Sequence, residues 1–116
     1  MSEKDYEYIT RYMRLEILNN IEDDSKDVLF ELRLDDAETI ALNALFPYDI
    51  TKEELPSGKR MRNWLARCAI ELYNSPKIKG YQSYSENGLS VSFLTSLITP
   101  SLMSELTPPK AGVPKW

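Results

Sequence analysis

The sequence contains no histidine and a single cysteine, Cys68. Without histidine there is no Ser-His-Asp or Cys-His nucleophile system, and the commonest transition-metal ligand is missing. A lone cysteine forms no internal disulfide and builds no cysteine-rich zinc site. A metal site would have to use oxygen ligands, and no EF-hand spacing is present. These absences exclude most hydrolytic enzymes, so we expect no catalysis, no cofactor and no metal.

Long hydrophobic runs are also missing. The apolar stretches are short and interrupted by charge, so the sequence predicts no membrane-spanning helix. The first five residues are too polar for a secretory signal, which favours an origin in the cytoplasm. With 116 residues, of which 42% are hydrophobic and 28% charged, the chain has the size and composition of one globular domain.

The net charge of −4 is unevenly distributed along the chain. Residues 1–46 carry 12 acidic and 5 basic side chains, whereas residues 47–116 carry 6 acidic and 9 basic ones. The acidic balance argues against tight, sequence-independent binding to nucleic acid, because such binding needs a positive surface. The division of charge permits head-to-tail association between copies, in which an acidic face meets a basic one.

Four segments show the apolar spacing of amphipathic helices. We predict the first from about residue 3 to 21, the second from 25 to 46, the third from 57 to 73, and a short fourth that opens at Thr99-Pro100. The second has a predicted buried stripe of Leu29, Leu32, Ala37, Ile40, Ala41, Ala44 and Leu45. The third has the clearest stripe, formed by Met61, Trp64, Leu65, Cys68, Ala69 and Leu72.

Alternating apolar and polar residues flank Asn87-Gly88, which is a strong turn signal. This pattern predicts a β-hairpin over residues 80–93, between the third and fourth helices. Residues 107–116 contain three prolines and are predicted to form an extended tail. The predicted fold is therefore mainly α: a small bundle of about four helices with a short β-hairpin in one domain, 1–106, followed by the tail. Neither the hairpin nor the tail has an obvious role inside a small bundle, so we expect both to contact another chain.

Charged residues near the predicted stripes have structural interpretations. Asp36 lies on or beside the stripe of the second helix, and a buried carboxylate must be paired or hydrogen-bonded. Its predicted partner is an arginine of the third helix (Arg60, Arg62 or Arg67) or a basic residue of a neighbouring subunit. Those arginines and Lys59 are interpreted as a helix surface, since no glycine-rich phosphate cradle accompanies them.

Several stretches together resemble the phage head–tail connector family, whose members are also described as DNA-packaging proteins. Residues 29–38 are similar to its acidic second helix with an Asp-Ala-Glu step, and residues 69–74 are similar to its helix ending in Tyr-Asn. Residues 83–90 resemble its Ser-x-Ser-x-x-Gly-hydrophobic-Ser signature. The Pro-Lys-Ala-Gly-Val of residues 109–113 resembles the end of several members.

This resemblance implies a structural subunit of the phage neck, in which copies form a dodecameric ring that docks beneath the portal after DNA packaging. The ring would extend the DNA channel and offer a platform to the next head-completion or tail-joining protein. Its implied contacts with DNA are passing and not sequence-specific, and its place is the virion neck after assembly in the host cytoplasm.

The resemblance also implies two sets of site residues. The implied interface with portal or neighbouring subunits comprises Tyr81, Ser83, Tyr84, Ser85, Asn87, Leu89, Pro109, Lys110 and Val113. The implied channel lining is the acidic face of Glu31, Asp35 and Glu38, since a negative lining repels phosphate. The alternative is a different class of protein, a small intracellular, phage-encoded regulatory binding protein that forms no ring.

Overall fold

The computed structural model describes residues 3–46, 55, 58–75 and 91–106. Within these ranges the chain forms five α-helices: α1 (Glu3–Met13), α2 (Asp27–Leu45), α3 (Lys59–Asn74), α4 (Val91–Ser96) and α5 (Pro100–Met103). Helices α1, α2 and α3 pack on one another, and α4 packs on α2. The predicted mainly α fold is confirmed. No helix of the described residues is both long and apolar enough to cross a membrane.

The predicted β-hairpin is not supported. Its last residues, 91–93, belong to helix α4, and the described ranges contain no β-strand. A helical turn places Leu94 and Ile98, four residues apart, in the core, where both are buried. Burial of this kind outweighs a short alternating pattern, because strand preference depends on the surface that the segment packs against. Residues 80–90, the rest of the predicted hairpin, lie outside the described residues.

The first helix ends earlier than predicted. After Met13 the chain continues as a π-helical segment, Arg14–Leu18. Asn19 ends this segment and adopts the left-handed conformation, with φ of 54°. The Asn19 N–H donates to the carbonyls of Arg14 and Leu15. Asparagine tolerates this conformation better than most residues, so it suits the C-terminal end of a helix. Upstream, Ile9 and Met13 are fully buried and fix α1 against the core.

Helix α2 buries a different stripe from the predicted one. Leu29, Leu32 and Ala44, predicted as core residues, are only half-buried. The buried residues are instead Phe30, Arg33, Leu34, Asp36, Ala37, Ile40, Ala41 and Leu45. The stripe is rotated because two charged side chains enter the core together.

Those two charged residues form an ion pair within α2. Arg33 and Asp36 are each only 2% exposed, and the Arg33 guanidinium donates to the Asp36 carboxylate over 2.9 Å. A buried charge is tolerated when it is paired and hydrogen-bonded. The expectation that Asp36 has a partner within the fold is thus correct, but sequence reasoning named arginines of the third helix and missed Arg33, one turn away on the same helix.

Helix α3 buries the stripe that the sequence predicts. All six residues of its predicted stripe are buried, together with Ala66. The helix begins after Gly58, whose φ of 139° is readily adopted only by glycine. Trp64 is fully buried, and its indole N–H donates to the carbonyl of Leu102 over 2.8 Å. This bond ties the end of the described chain to the middle of the bundle.

Helix α5 starts where the sequence predicts. Pro100 occupies the first turn and Thr99 is the N-cap residue. The Thr99 backbone N–H donates to the Glu71 carboxylate of α3 over 2.9 Å. The last described residue, Leu106, is buried.

Candidate functional site

An exposed groove runs along one side of α1. Tyr8 and Tyr12, one turn apart, stack with ring centroids 6.4 Å apart and 15° between the ring planes. Leu15 and Ile21 extend the apolar surface and are 48% and 43% exposed. These residues line a groove of about 530 Å³ together with Lys4, Glu7 and Arg11. We call it the tyrosine groove. Exposed apolar surface of this kind on a small domain is typical of a binding site.

Helix α3 supports the groove from beneath. The Arg62 guanidinium carbon lies 3.9 Å from the centroid of the Tyr8 ring, which is a cation–π contact. The same guanidinium lies 3.7 Å from the Asp5 carboxylate. One arginine therefore links two residues of α1 and sets the orientation of a groove tyrosine. This contact agrees with the interpretation of the third-helix arginines as a structural helix surface.

A second arginine fixes the far end of the groove. Arg14 donates its Nε–H to the Asp27 carboxylate over 2.9 Å, and a second guanidinium nitrogen makes a short contact with the other carboxylate oxygen. Arg14 also donates to the carbonyl of Ile21 over 3.0 Å. The hydrogen bond to Asp27 raises the pKa of Arg14. The loop between α1 and α2 is thus held so that Ile21 stays in the groove.

A second concavity adjoins the groove at Tyr12 and lies between α1, α3 and α5. Three carboxylates and one guanidinium line it: Glu16, Glu71, Glu105 and Arg67. We call it the acidic hollow. The Arg67 guanidinium forms a bidentate ion pair with Glu105, with N–O distances of 2.7 and 2.8 Å. This pairing lowers the pKa of the Glu105 carboxyl. Since Glu105 directly precedes Leu106, the described chain ends beside the hollow.

The implied channel-lining carboxylates lie along one face of α2. Glu31 and Asp35 are exposed and lie near Tyr6 and Thr10 of α1. Glu38 is half-buried and accepts a hydrogen bond from the Tyr6 hydroxyl over 3.2 Å. The structure therefore brings these three residues together on one surface.

Two carboxyl groups of this face have raised pKa values. Partial burial raises the pKa of Asp35, and the neighbouring charges of Asp36 and Glu31 raise it further. Partial burial also raises the pKa of Glu38, although the hydrogen bond from Tyr6 opposes that rise. The face is thus a concentrated negative surface in which the carboxylates repel one another.

The other implied site residues cannot be placed. Tyr81, Ser83, Tyr84, Ser85, Asn87, Leu89, Pro109, Lys110 and Val113 all lie outside the described residues. Within the described ranges, no three acidic or cysteine side chains gather closely enough to hold a metal ion.

Sequence reasoning missed the tyrosine groove, although a signal for it exists. Tyr8, Tyr12 and Leu15 follow one another at helical steps of four and three. They form a second apolar stripe on α1 beside the buried Ile9 and Met13. A helix on the surface of a bundle needs only one apolar stripe to pack against the core. A second apolar stripe therefore indicates a contact with another segment or another chain.

Comparison with known proteins identifies the family. A family model described as phage gp6-like head-tail connector protein matches residues 14–102, a span that runs from the π-helical segment into α5. No curated protein and no solved structure matches the chain. The family match covers well over half of the chain and agrees with the resemblance found in its sequence motifs. This chain therefore belongs to the phage gp6-like head–tail connector family, a family of structural proteins of the phage neck.

Proposed function

We propose that this chain is a ring-forming adaptor of the phage neck, which docks on the portal after DNA packaging and joins head to tail. The observation that carries the proposal is the family match across residues 14–102. Twelve copies would close the ring through heterologous contacts, in which different faces of neighbouring subunits meet. Its partners would be the portal, copies of itself and the next head-completion or tail-joining protein.

The exposed surfaces of the domain support an assembly role. A small domain that works alone has little reason to expose Leu15, Ile21 and Val28, the last of which is 75% exposed. The sequence-based expectation that residues 80–92 and 108–113 contact portal or neighbours adds further contact surface. Large interfaces assembled from several such elements are typical of permanent complexes.

The acidic face of α2 is proposed to line the DNA channel. Glu31, Asp35 and Glu38 would present negative charge to the phosphate backbone, so DNA would slide past without sticking. In an assembled ring, the Glu31→Lys/Asp35→Lys variant is expected to retain double-stranded DNA at low salt, whereas the ring with the native residues does not. Equal DNA retention by both rings would argue against a channel position for this face.

Light scattering tests the adaptor role directly. The purified chain would be measured alone and mixed with the portal protein encoded in the same genome. Binding should add about twelve subunits of 13.4 kDa to each portal ring. A chain that stays separate from the portal at high concentration would contradict the proposal and favour a small regulatory binding protein.

Removal of residues 107–116 gives a matched variant for the same assay. If the tail is a contact element, its loss should leave the fold intact, as judged by the helical content of the domain, and weaken binding to the portal. Loss of folding would instead mean that the tail belongs to the domain.

A further inference from the structure

We propose that the tyrosine groove and the acidic hollow together form a docking site for the C-terminal tail of the same chain, residues 107–116. This contact would form within the free subunit, so it goes beyond the ring and portal contacts proposed above. The occupant follows from three features: where the described chain ends, the composition of the tail, and the charge of the surface beside it.

The tail starts at the edge of this surface. Leu106 is buried, and the preceding Glu105 is paired with Arg67 of α3. Arg67 lines the acidic hollow and also a small hollow that contains both Tyr8 and Tyr12. The described chain therefore ends directly after Glu105, whose partner Arg67 borders both the acidic hollow and the hollow that contains the two tyrosines.

The tail is long enough to follow the groove. Ten residues in a polyproline II conformation span roughly 31 Å. The groove residues from Lys4 of α1 to Leu15 of the π-helical segment span roughly 17 Å along the helix axis. The segment after Leu106 can therefore cross the acidic hollow and still cover the length of the groove.

The composition of the tail matches an aromatic-lined groove. Its sequence, TPPKAGVPKW, contains three prolines, a valine and a tryptophan. Proline-rich segments bind grooves lined by aromatic side chains, because little conformational entropy is lost when a preformed extended segment is immobilised. The stacked rings of Tyr8 and Tyr12, extended by Leu15, supply such a surface.

The charges also match. The tail carries two lysines and no acidic side chain. The acidic hollow, which it would cross first, presents Glu16, Glu71 and Glu105 against the single guanidinium of Arg67. Opposite charges across the acidic hollow favour this register and make the docking sensitive to salt. The tyrosine groove, with Lys4, Glu7 and Arg11, carries no excess of negative charge, so docking there rests on apolar contact.

Tryptophan fluorescence of the full chain tests the proposal. The sequence has two tryptophans: Trp64, which is fully buried, and Trp116 in the tail. Acrylamide quenching of the native chain, compared with the Trp116→Phe variant that leaves only Trp64, isolates the accessibility of Trp116. If the tail is docked, the quenching constant of Trp116 should be low, and the Tyr8→Ala/Leu15→Ala variant should raise it roughly threefold as the undocked population grows.

Two further variants make the test specific. Glu16→Lys should also increase quenching of Trp116 and remove most of its salt dependence. Val28→Ala is the matched control, because Val28 is the most exposed large apolar side chain of the described residues and lines neither the groove nor the hollow. It should leave quenching unchanged.

Two results would overturn the proposal. The first is a quenching constant for Trp116 that is already high in the native chain and unaffected by the groove substitutions. The second is protection that disappears on dilution, because the tail would then dock on another copy. Neither result bears on ring formation at the portal, so the proposed function is tested separately.

Discussion

Substitution of Asp36 tests how the core of this domain tolerates charge. Arg33 and Asp36 are each 2% exposed and lie 2.9 Å apart. Asp36→Ala leaves the Arg33 guanidinium buried without this carboxylate, and removing one partner of a buried pair typically costs about 3–5 kcal/mol. A small domain has only about 5–15 kcal/mol of stability in total, so the variant should lose about a fifth of it or more. The corresponding fall in melting temperature is roughly 10–20 °C.

The assay is urea unfolding followed by circular dichroism, with the slope of the transition checked for two-state behaviour. The exposed neighbour gives a matched control: Asp35→Ala should change the free energy of unfolding by no more than about 0.5 kcal/mol. The double variant Arg33→Met/Asp36→Leu removes both charges and should recover most of the lost stability. If Asp36→Ala is as mild as Asp35→Ala, or if the double variant loses the sum of both single effects, the account of a mutually neutralised buried pair is wrong.

Three further predictions concern single side chains. The folded state raises the pKa of Asp35, so the ionised carboxylate lowers the stability of the fold above that raised pKa, and this cost disappears below the ordinary value of 3.8. Asp35→Asn should therefore stabilise the fold slightly at pH 7 and lose this advantage in acid. Urea unfolding at several pH values measures the difference. Burial raises the pKa of the Cys68 thiol well above its usual value, so thiol reagents should label Cys68 only after urea unfolds the protein. Fast labelling of the native chain would contradict the buried position of this thiol. Trp64→Phe removes the bond to the Leu102 carbonyl and should cost about 1–3 kcal/mol in chemical unfolding; an unchanged midpoint would mean that this bond does not hold α5.

The sequence predicts helix α3 well because its pattern is unambiguous. Its apolar residues recur at steps of three and four, and no charged residue falls on that stripe. All six predicted core residues are buried. Pro100 likewise predicts the start of α5, because proline fits the first turn of a helix and not its interior. Where local pattern and tertiary packing agree, sequence reasoning succeeds.

Helix α2 shows where such reasoning fails. A periodicity argument assigns charged residues to the outside, so it cannot foresee that Arg33 and Asp36 enter the core together. Including them rotates the buried stripe toward Phe30 and Leu34 and leaves Leu29 half-buried. The information that decides this orientation is the pairing of two side chains, which is a property of the folded state.

The predicted hairpin failed for a related reason. Val91 and Phe93 alternate with polar residues over a window too short to separate a strand from a helix. Burial of Leu94 and Ile98, which the helical spacing permits, decides the outcome in favour of α4.

The two parts of the candidate site differ in how far the sequence defines them. The spacing of Glu31, Asp35 and Glu38 along α2 is enough to place them on one face, as the structure has them. The tyrosine groove depends on Arg62 beneath Tyr8, which is a contact between distant parts of the chain, and on Arg14, which holds the nearby carbonyl of Ile21 at its far end. Only the folded structure reveals that these residues form one surface.

Electron microscopy of the chain mixed with its own portal protein tests the central claim most directly. The account predicts an additional ring with the rotational symmetry of the portal, stacked beneath it and continuing its channel. Portal particles that remain bare in the presence of excess chain would contradict the account.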